Sequence, residues 1–338
     1  MAAPSFANWA AGGYANAPLP RLADPASLHS LAGSTMGTSW SLRFDNPQMI
    51  PLEQVRATVE AALARIVAQM STWVEDSDIH RFNHSQAGCR HTLAPEFARV
   101  LECALHWAAR SDGAIDPTVG PLVALWGFGA QGDAAALPPP RDAIEATRRR
   151  VGWSRIEFEP AGRTAVQPGA VWLDFSGVAK GFAVDHAADG LKALGLSNFL
   201  LEIGGELKAV GHRPGGRHWQ VLVETRLNAG PRVELGGMAI ATSGDRWQFR
   251  THGDRRWSHT IDPRTGEPVS SAIASVTVLH PECMHADAIA TMLTVLGPDE
   301  GWDFAERHRI AALFVCRRDG LLPDIRTTTT WVASSGAA

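Results

Sequence analysis

Apolar positions in this chain recur with two different periods, and the change from one to the other organises it. Between Leu52 and Met70 the residues Leu52, Val55, Val59, Leu63, Ile66, Val67 and Met70 fall on one helical stripe. A second helix is expected from Pro95, whose missing N–H costs nothing at a first helical position. It runs through Phe97, Val100, Leu101, Ala104, Leu105 and Ala108 and is stopped by Gly113. Thr38 to Phe44 alternates instead, as a half-buried strand does, after the turn-like Ser34-Thr35-Met36-Gly37. Folded structure is therefore expected from about Leu31, with residues 1–30 a flexible tail rich in Ala, Gly and Pro.

Further along, Ala134 to Pro140 reads as an exposed loop and Arg141 to Arg150 as a short charged helix. From Ile156 onward strands dominate. They are expected at Ile156–Glu159, Val171–Phe175, Phe199–Ile203, Trp219–Glu224, Gly237–Thr242, Trp257–Ile261, Ile273–Leu279, Ala311–Cys316 and Thr329–Ala333. Helices are expected at Val178–Leu194, His285–Leu296 and Gly301–His308. Strands following one another from Phe199 to Ile261 imply an α+β fold, a mainly antiparallel sheet with packed helices. No linker interrupts residues 31–338, so a single domain is expected there.

Composition narrows the partners more than the fold. The 338 residues carry a net charge of −4 with both signs mixed along the chain, which gives no footprint for nucleic acid. No apolar run is long enough to be a transmembrane segment. The first twenty residues lack the basic and unbroken apolar regions of a signal peptide, and a cytoplasmic location is the expectation that follows. Cys89, Cys103, Cys283 and Cys316 form no zinc spacing and read as reduced thiols.

The chemistry concentrates around Trp172 to Asp185, reading WLDFSGVAKGFAVD. An apolar run ends at Asp174, small residues Ser176 and Gly177 follow, and Lys180-Gly181 opens a helical pattern. Such a turn admits a ligand close to the backbone and points helix N–H groups at it, which suits phosphate. The same residues would also make an ordinary strand–helix junction with a surface lysine. Asp287 and Thr291 lie four apart, so on a helix a carboxylate and a hydroxyl share a face. Both are hard oxygen donors of the kind Mg²⁺ takes. The alternative for that pair is an acid favoured by the helix dipole and a Thr bonded back into its own helix. Ile203-Gly204-Gly205-Glu206, Ala241 to Asp245 and Ser258 to Pro263 each place turn residues after a strand, and His259 is the best candidate for proton transfer.

Taken in order, eight segments resemble the ApbE family of FAD:protein FMN transferases over roughly residues 33–297. They are STMGT (34–38), MSTW…DSDIHRFN (70–83), GAIDPTVGPLV (113–123), DFSGVAKGFAVD (174–185), IGGEL (203–207), ATSGD (241–245), HTIDPRTGEP (259–268) and DAIAT (287–291). The resemblance implies an ApbE-like fold related to the T-fold, FAD as substrate, and Mg²⁺ at its diphosphate. It implies transfer of FMN to a Thr or Ser of a target flavoprotein bearing a Ser/Thr-Gly-Ala-Ser/Thr type sequence, which this chain lacks, with release of AMP. By motif, Met36, Trp73, Ala114, Ile115, Asp116, Asp174, Lys180 and Ile261 would line the FAD cleft. Gly177, through its carbonyl, with Asp287 and Thr291 would hold the metal, and Lys180 and His259 would act in catalysis. Trp73 stands where the family often has Tyr, and Ala290 where some relatives carry a further acid. Family members are commonly exported, so a periplasmic or membrane-associated setting is the alternative to the cytoplasm. The same site would also suit an FAD pyrophosphatase releasing FMN and AMP, or an FAD-binding protein without catalysis.

Overall fold

The computed structural model describes residues 28–133, 137–225, 230–245, 249–253, 255–269, 272–318 and 322–335. The expected tail lies outside them as far as residue 27, as do residues 134–136 of the expected 134–140 loop. Eight strands form one sheet whose spatial order is the order of the chain. They are β1 (Leu28–Thr35), β2 (Thr38–Asp45), β3 (Phe199–Ile203), β4 (Glu206–Val210), β5 (Ala239–Gly244), β6 (Ile273–His280), β7 (Ala311–Cys316) and β8 (Asp324–Thr327). Every neighbouring pair is antiparallel.

The helices are α1 (Leu52–Met70), α2 (Asp78–Asn83), α3 (Pro95–Arg110), α4 (Gly120–Leu125), α5 (Arg141–Arg148), α6 (Ala179–Ala193), α7 (Cys283–Leu296), α8 (Glu300–Arg307) and α9 (Thr329–Ser334). Alternation in the strands explains the layering. In β2 the residues Trp40, Leu42 and Phe44 are buried in the same core as the stripe of α1 and the apolar faces of α6 and α7. Strand β7 is buried throughout, Ala312 and Phe314 in that core, Ala311, Leu313 and Val315 in a second one. The second core is closed by Trp219, Val233 and Leu235 of a separate hairpin and by Trp331 of α9. Each fully buried large side chain of this kind contributes about 2–3 kcal/mol, so a two-sided central strand is strongly pinned in register.

Several expectations are corrected by the structure. Strand β1 begins at Leu28 and extends the β2 hairpin through the segment read as mere turn. Val171–Phe175 makes no ladder; it is an extended segment with one parallel bridge, Val119 to Trp172. Asn83 holds it instead, donating to Leu173 C=O at 2.9 Å and accepting from Leu173 N–H at 2.7 Å. Thr329–Ala333 is helical, because the Thr328 hydroxyl accepts from Trp331 N–H and caps α9, overriding the β preference of a threonine run. The run from Trp257 to Ile261 is broken between two small hairpins, 249–258 and 261–268, which leave the main sheet. Among the described residues no helix is long and apolar enough to cross a membrane.

Candidate active site

Glycine brings α6 and α7 together. A Cβ at Gly181 would lie 2.4 Å from Cys283 C=O and 2.8 Å from Asp287 Cβ, so only a glycine lets these helices touch there. One turn earlier, a Cβ at Gly177 would meet the Thr291 hydroxyl at 3.0 Å. The first turn of α6 and the preceding loop thus lie directly over the Asp287–Thr291 face of α7. Gly181 N–H donates to Asp287 Oδ2 at 2.9 Å, the one hydrogen bond of that carboxylate among the described residues. The Asp287 side chain is buried, in the second turn of its helix, not a surface acid near the helix start. Burial raises its carboxyl above the usual carboxylate range, opposed by the Lys180 ammonium and the Gly181 bond.

The Thr291 hydroxyl makes no hydrogen bond among the described residues, whereas Thr294 bonds back to Ala290 C=O at 2.8 Å. The back-bonded reading of residue 291 therefore does not hold; its oxygen faces the loop. One open carboxylate oxygen, one free hydroxyl and the Gly177 loop make a set of hard donors in a close cradle. This chemistry fits Mg²⁺, which prefers a few protein oxygens and keeps waters and phosphate for the rest.

Lys180 lies at the same helix start, next to Gly181, and feels the Asp287 charge. Its ammonium bonds Glu206 Oε1 at 2.5 Å, with the glutamate 2% exposed and the lysine 33%. Glu206 opens β4 after the Gly204-Gly205 turn, and Gly204, at φ +61°, packs against the Lys180 stem and Thr38. Burial alone would lower the Lys180 ammonium, but the charges of Glu206 and Asp287 outweigh it and hold the group protonated. Burial pushes the Glu206 carboxyl up to about 7 despite the adjacent lysine, and the Asp287 charge pushes the same way. Its second oxygen, Oε2, is buried without a partner. Sequence reasoning gave Glu206 no role. The available signal was an acid placed three residues beyond the end of an apolar strand, at a position whose burial only the β3–β4 pairing reveals.

The other expected residues are held by the fold in different ways. Met36 sits at φ +49° in the two-residue β1–β2 turn, where an Asn or Gly is usual. A bulky residue in that region costs about 1–2 kcal/mol. Gly204 N–H donates to Ser39 C=O at 3.0 Å and so ties this hairpin to the Lys180 side. Trp73 is 70% exposed after α1, an open indole face suited to stacking. Ala114 and Ile115 are buried, and Asp116 is 5% exposed. Both Asp116 oxygens are committed: Oδ1 accepts from Thr118 N–H at 2.8 Å and its hydroxyl at 2.6 Å, Oδ2 from Trp153 N–H at 2.9 Å. Its carboxyl is also raised by burial, which outweighs those bonds. Asp174 accepts from Ser176 N–H at 2.8 Å and its own N–H donates to Pro117 C=O at 2.8 Å, which joins the 113–119 loop to the Gly177 turn.

His259 and Ile261 come from the 249–268 region. Ile261 is buried against Leu122, Trp126, Ile144 and Trp257, while the His259 ring is edge-on to Phe128 at 6.4 Å. Trp126 donates to Gly266 C=O at 2.8 Å and locks α4 to this loop. The Ala241–Asp245 segment serves the scaffold: Thr242 and Thr277 hydroxyls bond across β5 and β6 at 2.9 Å, and Asp245 pairs with Arg317.

The model of the ApbE family matches residues 36–314. A FAD:protein FMN transferase of Haemophilus influenzae is 36% identical over 301 residues, covering 86% of this chain and 87% of the relative. One of Vibrio cholerae is 33% identical over 300 residues, covering 87% and 89%. Among solved structures, the apo form of the Pseudomonas stutzeri flavinyl transferase ApbE superposes with a TM-score of 0.85 at 37% identity, over 92% of this chain and 98% of that one. The flavin transferase ApbE of Vibrio cholerae gives 0.83 at 32%, over 91% and 100%. A match of this length, with relatives this similar in both sequence and fold, places the chain in the ApbE family.

Proposed function

We propose that this flavin transferase moves the FMN half of FAD onto a Thr or Ser hydroxyl of a target flavoprotein, with Mg²⁺ bound and AMP released. The carrying observation is the convergence of Asp287, Thr291, the Gly177 turn and the Lys180 ammonium at one helix–helix contact. Asp287, Thr291 and the Gly177 carbonyl would hold the Mg²⁺, which when bound supplies positive charge to diphosphate oxygens. Lys180, held protonated, presents a second positive charge to the same diphosphate. Trp73 offers an exposed ring face for the flavin, and Met36 stands in the β1–β2 turn of the hairpin that Gly204 ties to the Lys180 side. The acceptor oxygen forms a bond to the flavin-side phosphorus as the phosphorus–oxygen bond to AMP breaks, the electron pair leaving with AMP. The hydroxyl proton goes to the imidazole of His259, a side-chain type that can accept a proton near neutrality.

Incubation with FAD, Mg²⁺ and a flavoprotein subunit carrying a Ser/Thr-Gly-Ala-Ser/Thr sequence tests this. The expected result is a mass gain of one FMN on that subunit with stoichiometric AMP. Free FMN and AMP with an unmodified subunit would assign hydrolysis instead, and unchanged FAD would leave a binding protein.

A further inference from the structure

Two buried acids compete for one lysine at this site, and the structure awards it to only one of them. Lys180 and Gly181 are consecutive, and Gly181 N–H touches Asp287, so Lys180 is rooted beside that carboxylate. The Asp287 charge is felt at Lys180. Yet the ammonium is drawn to Glu206 at 2.5 Å, and Asp287 forms no ion pair among the described residues. The geometry on the Glu206 side looks built for that outcome. Gly204, in the left-handed region, lets the β3–β4 turn close on the Lys180 stem, with a Cβ there 3.4 Å from Lys180 Cδ. The β3–β4 register pairs Glu206 with Ile203 and fixes it 2% exposed, where no water shell dilutes its pull.

We infer that Glu206 is a positioning residue that holds Lys180 away from Asp287 and so keeps the Asp287 oxygen open for the divalent ion. Without a negative charge at residue 206, Asp287 is the other carboxylate whose charge acts on the ammonium. The lysine then swings over and becomes an internal substitute for the metal. This rests on the reading that Asp287 and Thr291 take a divalent cation, and it adds to that reading the device that prevents self-inhibition.

The test measures Mn²⁺ binding to the full chain by calorimetry or by the electron-paramagnetic-resonance signal of free Mn²⁺, without FAD or acceptor. Glu206→Gln keeps the shape of the side chain and is expected to weaken Mn²⁺ by about tenfold or more, the usual size of an outer-ligand effect. The double variant Lys180→Met/Glu206→Gln is expected to recover to within about threefold of wild type, since the competing cation is gone. A merely structural role for Glu206 would give no such rescue, and thermal melts of both variants read any loss of fold separately. Unchanged Mn²⁺ affinity in Glu206→Gln, or a double variant as weak as the single one, overturns the inference. If instead the wild type does not bind Mn²⁺, or Asp287→Asn binds it equally well, the metal reading itself fails.

Discussion

Asp116 and Asp287 are both buried, both 5% exposed, and both have a carboxyl raised by burial, yet the fold treats them oppositely. Every oxygen of Asp116 is filled by the chain itself, through Thr118 and Trp153. Asp287 receives a single backbone bond and keeps an oxygen free beside an unbonded threonine. Burial and titration therefore do not separate scaffold from site here; the count of satisfied oxygens does. A carboxylate saturated from within fixes a loop, whereas one left short by the chain is available to something that is not part of it.

The contrast can be broken at several points. The largest effect is expected for Asp287→Asn: flavin transfer falls by at least about a hundredfold, while the melting temperature without metal is unchanged or higher, since a poorly paired buried charge has gone. A variant that keeps its activity would move the site elsewhere. Asp116→Asn should do the reverse. An amide cannot accept at both ends, so Trp153 N–H would face another donor, and denaturant titration should show a loss of about 2–3 kcal/mol. Equal stability of the two aspartate variants would remove the distinction. Thr291→Val should weaken Mn²⁺ by about tenfold, the share of one neutral oxygen ligand, with no change in melting because that hydroxyl bonds nothing in the fold.

The smallest effect concerns pH. Glu206 is raised from 4.5 to about 7, so between those values the folded chain keeps a proton there that the unfolded chain gives up. Above about 7 Glu206 is charged and pairs with Lys180. Its contribution to stability is fully present below about pH 4.5 and is lost as pH rises through about 7. Melting curves of the metal-free protein should therefore fall across that window, and Glu206→Gln should flatten the fall.

Local pattern was sufficient for α1, α3, α6 and α7, because long apolar stripes leave little choice of partner face. The motif residues around Gly177, Lys180, Asp287 and Thr291 were legible for a similar reason: their chemistry and spacing survive without knowledge of the fold. Expectation failed where a contact distant in sequence decides the conformation. Asn83 brackets Leu173 from ninety residues away and replaces the ladder that an apolar run suggested. The Thr328 hydroxyl, fixed by donating to Ile310 C=O at 2.7 Å, caps Trp331 N–H and starts a helix in a β-branched run.

By itself the sequence determined the class of fold, the order of strands that becomes the order of the sheet, and the motif residues that the fold gathers where α6 meets α7. Which acid holds the lysine, which threonine keeps its hydroxyl open and which aspartate is spent on the scaffold were decided only in three dimensions. Pairing is a competition settled by distances of a few ångströms between segments, and the packing of β3 and β4 against α6 and α7 sets those distances.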